Sequence, residues 1–88
     1  MIDYATIEKK WLKEWANAKL FQYDPNEKKS LLVTAAWPYT NMPPHIGHLR
    51  TYGTADFYSK YMRMRGYNVL FPMGWHYTGT PILAILKR

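Results

Sequence analysis

Residues 30–52, "SLLVTAAWPYTNMPPHIGHLRTY", join two patterns that do not belong to one element. The first seven residues are a nearly continuous apolar run of strand length, the pattern of strands buried on both faces of a parallel sheet. Further on the period changes. Ile46, Leu49, Gly53, Phe57, Tyr61 and Met64 fall on one stripe at about 100° per residue, which predicts a long helix. Arg65-Gly66 closes that helix with a basic last turn and a glycine stop. "YNVLFP" is then a second short strand, ended by Pro72. Strand, helix and strand with a long crossover predict a right-handed βαβ unit. Residues 31–37 and 67–72 are expected to pair in parallel, with a helix from about 45 to 65 packed on them through Ile46, Leu49, Phe57 and Tyr61.

This order locates chemistry before any motif is read. In open parallel sheets, ligands sit beyond the carboxyl ends of the strands. Two segments leave such ends here, "WPYTNMPPHIGH" and "MGWHYTGTP", and they hold all three histidines of the chain.

Working outward, Ile7, Trp11, Trp15 and Ala18 form one stripe of a leading helix over residues 4–20. Trp11 and Trp15 are expected to anchor its packing. Asp24-Pro25-Asn26 breaks the pattern with a turn signal, so residues 1–29 read as an N-terminal helix and linker. The last residues, "PILAILKR", read as the opening of an apolar helix without a closing signal. With 17% aromatic residues in 88, the side chains are bulkier than so small a core needs, and the sequence is expected to be an N-terminal fragment.

A net charge of +6 favours polyanionic partners such as nucleic acid. Arg50, Lys60, Arg63 and Arg65 are expected to form a solvated face. The absence of cysteine excludes disulfides and thiolate chemistry. No apolar run approaches the ~20 residues of a membrane span and no signal-peptide pattern follows Met1, so a cytoplasmic protein is expected.

His45 and His48 lie three positions apart at the expected helix start, away from the packing stripe. Gly47 between them removes a side chain, which would let a ligand approach the backbone. First-turn N–H groups have no partner inside a helix, and the dipole adds positive potential, so the start suits an anion such as phosphate. Pro43 and Pro44 stiffen the approach. Three readings remain open on chemistry alone. The histidines solvate a helix start; or, with His76, they ligate a metal, though no carboxylate or cysteine accompanies them; or two imidazoles stabilise charge on a phosphoryl group. The common G-x-G-x-x-G and G-x-x-x-x-G-K-[ST] nucleotide motifs are absent. Trp75 is expected to pack rather than to touch a ligand.

"PYTN" before "PHIGH", followed by "RGYNVLFPMGWHYTGTPI", resembles the start of a class I aminoacyl-tRNA synthetase, with His45-Ile46-Gly47-His48 as the family's HIGH signature. The likeness covers essentially the whole chain and is strongest to the leucyl branch in its archaeal and eukaryote-like form. It implies an α/β chain in which residues 30–88 are the first, incomplete portion of a Rossmann-like catalytic domain. It implies ATP, as its Mg2+ complex, as a substrate, with no metal bound by the protein. His45 and His48 would be catalytic, and with Gly47, Asn41 and Pro43 they would bind ATP. Trp37, Tyr39 and His76 would line the amino-acid pocket. Leucine, tRNA(Leu) and the remainder of a synthetase chain are the implied partners. His76 stands where the isoleucine and valine relatives carry an Asp, which favours leucine. Met42, Pro44 and Thr40 depart from the usual glycine, leucine and proline of the approach loop. The alternatives are another class I synthetase of the isoleucine, valine and methionine group, or a non-catalytic module that binds RNA or a partner chain. The family's second ATP signature, KMSKS, does not occur in these residues.

Overall fold

The computed structural model describes residues 1–27 and 29–86. The expected continuation of the last helix into Lys87 and Arg88 lies outside the described residues, as does position 28 of the linker. The chain runs α1 (Tyr4–Asn17), β1 (Ser30–Leu32), α2 (Ile46–Met64), β2 (Asn68–Leu70) and α3 (Thr80–Leu86). β1 and β2 pair in parallel, with Ser30 opposite Asn68, Leu31 opposite Val69 and Leu32 opposite Leu70. The expected α/β class, with a parallel βαβ unit behind an N-terminal helix, is what forms.

Asp3 caps α1, its carboxylate accepting the Thr6 hydroxyl at 2.6 Å and the Thr6 N–H at 3.2 Å. These bonds hold the Asp3 carboxyl below its ordinary value, the hydroxyl contributing most. Lys19, in the left-handed region at φ 50°, turns the chain after α1. Phe21 then meets Trp15 edge to face, with centroids 5.6 Å apart. Asn26 N–H bonds back to Asp24 Oδ1, the local turn expected of Asp-Pro-Asn. Asn68 fastens this turn to the sheet, because its side chain both accepts from and donates to the Asp24 backbone.

α2 runs unbroken through Gly53. It ends as expected: Gly66 adopts φ 87°, Gly66 N–H bonds Arg63 O and Tyr67 N–H bonds Met62 O, the paired bonds of a Schellman stop. The face it turns to the sheet is not the expected one. Ile46 is 79% exposed and Phe57 73%, and Leu49, Tyr61 and Met64 are exposed beside them. The covered side instead carries His48, Tyr52, Ala55, Ser59 and Met62, spaced four, three, four and three. Steric size explains the choice. Ala55 and Ser59 are small enough to let the helix come down on Val69, which is 2% exposed, with Ser59 at 0%. The Ser59 hydroxyl donates to Ala55 O at 2.8 Å, so its polar atom is buried with a partner.

Four further expectations change. The strands are not covered on both faces, since Leu32 and Leu70 stay exposed on the side away from α2. They are also shorter than 31–37 and 67–72: the ladder extends only as far as Val33 N–H on Leu70 O, and Pro72 has no N–H to continue it. Trp11 is exposed and anchors nothing among the described residues, whereas Trp15 is half-buried. Lys60 and Arg63 are not a purely solvated face. Lys60 Nζ pairs with Asp56 at 2.7 Å and lies 5.4 Å from the Trp15 ring, and Arg63 stacks 4.9 Å from Phe21. Arg63 also donates to Val69 O at 3.3 Å. Burial lowers its affinity for a proton and Asp56 opposes that; a guanidinium stays charged through such shifts. These cations join the turn after α1 to α2 by covering aromatic faces.

Candidate nucleotide and amino-acid site

The two carboxyl-end segments meet again beyond the strands. His76 N–H donates to Pro38 O at 2.8 Å, and Tyr39 and His76 form an isolated parallel bridge. Between the last ladder pair and this bridge the first segment contains one residue more than the second, so the pairing resumes with a shifted register. Because the backbones are parallel and adjacent, the two side chains fall on the same side. Their rings stack at 4.6 Å with 20° between planes. Two expected pocket residues, far apart in sequence, are therefore brought together.

Trp37, half-exposed, lies against the backbone at Gly74. Extended backbone alternates side chains, so Trp75 and Tyr77 leave the strand direction opposite to His76. They line an open depression of about 440 Å³ with Asn41, Met42, Pro43 and Pro44. Trp75 thus faces a cleft rather than a core, contrary to expectation, and Tyr77 was not singled out at all. The signal for both lay in the alternation around His76. Tyr52, also unforeseen, stacks beside His48 at 5.9 Å.

His45 is the residue before the first turn of α2, extended at φ −121°, ψ −178°, rather than part of the helix. Its Nδ1 accepts the Gly47 N–H at 3.0 Å, and His48 Nδ1 accepts the His45 N–H at 3.1 Å. This is a reciprocal cap built from imidazoles in place of Ser and Glu. It fixes more than the helix start. A neutral imidazole has one donor and one acceptor, so the tautomer that fits an accepting Nδ1 is the one assigned with its proton on Nε2. The rings are 4.1 Å apart at centroids. The tilted ring pair stands at the start of α2, where the helix dipole is positive. Gly47 owes its identity to this cap as well: a Cβ there would stand 2.8 Å from His45 Cε1.

Asn41 is half-buried and Pro43 exposed, in the loop that connects the Tyr39–His76 pair to the histidine cap. Among the described residues, no three His, Cys, Asp or Glu side chains gather closely enough to hold a metal ion. No described helix is long and apolar enough to cross a membrane.

Residues 31–86 match the family profile described as tRNA synthetases class I (M). The chain is 60% identical over 81 residues to leucine–tRNA ligase 2 of Sulfolobus acidocaldarius, covering 90% of this chain and 8% of the relative. It is 49% identical over 87 residues to leucine–tRNA ligase of Archaeoglobus fulgidus, covering 99% of this chain and 9% of the relative. A crystal structure of the ternary complex of LeuRS, tRNA and LeuAMS from Agrobacterium radiobacter K84 superposes with a TM-score of 0.86. That match has 35% identity and covers 92% of this chain and 11% of the other. The chain therefore spans about a tenth of the length of the proteins it resembles.

Proposed function

This chain belongs to the class I tRNA synthetases, and on that premise we propose that it forms the ATP- and leucine-binding beginning of a leucine–tRNA ligase. Residues 1–29 would be a leading helix and linker, and 30–88 the first portion of the catalytic domain. In the reaction an oxygen of the leucine carboxylate attacks the α-phosphorus of ATP, supplied as its Mg2+ complex. The bond from that phosphorus to the bridging oxygen breaks, pyrophosphate leaves, and leucyl-adenylate remains. A hydroxyl at the 3′ end of tRNA(Leu) then attacks the leucyl carbonyl carbon, the bond from that carbon to the adenylate oxygen breaks, and AMP leaves. Phosphoryl transfer asks little covalent work of the protein, and positioning with charge stabilisation supplies most of the catalysis.

The observation that carries this reading is the histidine cap. By accepting backbone N–H groups through Nδ1, His45 and His48 leave their Nε2–H groups free to donate to a ligand, on rings whose centroids are 4.1 Å apart. Donors fixed in advance cost no reorganisation when negative charge grows on the phosphates. Gly47 keeps the His45 ring in place, and Asn41 and Pro43 flank the nucleotide. The stacked Tyr39 and His76, with Trp37, form the wall that receives leucine. Single-site selectivity among aliphatic side chains is modest, so the amino acid preferred marks the branch. Pyrophosphate exchange in the full-length enzyme, run with leucine, isoleucine, valine and methionine, tests the proposal. Leucine should support the fastest exchange. Faster exchange with isoleucine or methionine would move the assignment to a sister enzyme, and none with any would favour a binding module. Such an enzyme would act in the cytoplasm.

A further inference from the structure

We infer that Gly74 is a positioning residue for the amino-acid pocket, acting through the bare backbone on which the Trp37 indole rests. A Cβ at position 74 would stand 3.1 Å from Trp37 Cε3 and Cζ3 and 3.2 Å from Cδ2, closer than such contacts ordinarily come. Gly74 does not owe its identity to conformation. The glycines with positive φ are Gly66 and Gly79, and Gly74 is not among them. Any residue can adopt its backbone, so the ring above it is the reason for a hydrogen there. Gly79 also lies under a pocket ring, 3.3 Å from Tyr39 Cε1 by the same construction. Its φ of 119° strains any side chain and so obscures the cause. Gly74 separates the two effects.

Trp37 is half-exposed, so it has room to yield, and the direction left to it is away from Gly74. An added methyl group therefore displaces the indole by a few tenths of an ångström without closing the chain's route past it. Gly74 itself also lines a depression of about 230 Å³ with Pro38, Pro44, Tyr52 and Trp75. The inference rests on the proposed role of Trp37 in the leucine pocket, and the test distinguishes the two.

In the full-length enzyme, Gly74→Ala should raise the KM for leucine on the order of ten-fold, less than the ~10²-fold that a 1 Å misplacement costs. The KM for ATP should hold. In a Trp37→Leu background, which lacks the ring atoms in conflict, the same change should add nothing. Fluorotryptophan incorporation gives a reading apart from activity: the 19F resonance lost in Trp37→Leu should shift in Gly74→Ala. An unmoved resonance overturns the seat itself. A moved resonance with leucine KM unchanged in both Gly74→Ala and Trp37→Leu overturns the inference by removing Trp37 from the pocket. An equal rise in the ATP KM, or an undiminished effect in the Trp37→Leu background, also overturns it. If Gly74→Ala does not fold, recovery of folded enzyme in the double variant supports the steric seat, and misfolding of both refutes it.

Discussion

His48 Nδ1 accepts the backbone N–H of His45 at 3.1 Å, so the second histidine of the pair fixes the first at the head of α2. The two residues are thus structural and, in the proposed reaction, chemical at once. Replacement by alanine would confuse these roles, because it removes a cap together with an Nε2 donor.

His45→Asn and His48→Gln separate them. Asparagine is a good helix cap and glutamine serves at the third helical position of a capping box, so helix stability should be nearly retained. Each amide still carries N–H donors, but on a shorter arm in asparagine and a more flexible one in glutamine, so the donor is no longer fixed where the imidazole Nε2–H stood. Removing one preorganised donor to a developing oxyanion typically costs ~10²–10³ in rate. Rapid-quench adenylation should show a loss of that order in each variant, with leucine KM little changed because the donors act chiefly on the transition state. Near-normal rates in both stable variants would confine the histidines to capping.

Gly47→Ala should separate stability from activity in the opposite sense. Alanine is a better helix former than glycine by ~1 kcal/mol, so propensity alone predicts a more stable α2. The added Cβ would meet His45 Cε1 at 2.8 Å, however, and must drive the imidazole off the Gly47 N–H. Adenylation should fall at least as far as in His45→Asn, while the melting temperature changes by only a few degrees. A variant as fast as the parent would show that the His45 ring need not rest where it does.

How far the sequence disclosed this arrangement depended on what each signal reports. Period and punctuation located the elements: the 3.6-residue repeat and Arg65-Gly66 marked α2 to within a residue of its ends, and Pro72 marked the end of the second apolar run. Side choice failed, because a hydrophobic stripe says which face is apolar and not which face fits. Ala55 and Ser59 allow close approach to Val69, and the bulky stripe through Phe57 faces outward. The histidines were legible as a pair at a helix start, but a two-nitrogen ring as a substitute for Ser and Glu in a cap was not. Tyr39 and His76 were each singled out by resemblance. Their stacking required the register shift between two loops, which no local pattern encodes.

Acid should loosen α1 from its first turn. The folded Asp3 carboxyl is held below its ordinary value, first by the Thr6 hydroxyl and then by the Thr6 N–H. A lowered folded value means the ionised form favours the helix. That contribution is whole above the unfolded value of ~3.9 and is lost as pH falls through the lowered folded one. Helical circular dichroism of the chain should therefore decline in that acid window. Asp3→Asn keeps the acceptor without the charge, and its signal should not decline there through this site. An identical decline in both would assign the acid response elsewhere.

The Tyr39–His76 stack predicts how the leucine pocket answers to mutation. With the rings at 4.6 Å and 20°, each restricts the other, and the Pro38–His76 backbone bond sets their separation. An aromatic pair is worth about 0.5–1.5 kcal/mol beyond its buried area. His76→Ala leaves Tyr39 without that partner and should raise the leucine KM by roughly 2–10-fold, the equivalent of this energy at 1.36 kcal/mol per decade. The ATP KM should stay within error, because the histidine cap belongs to a different element. His76→Phe decides what the imidazole does. A phenyl ring restores the stack and offers no polar edge, so recovery of the leucine KM assigns His76 to holding Tyr39. Failure to recover assigns it to a polar contact with the amino acid. Steady-state exchange kinetics with varied leucine and varied ATP measure all of these values. Matching rises in both KM values for His76→Ala would mean that the stack supports the whole active site and that leucine has no private wall.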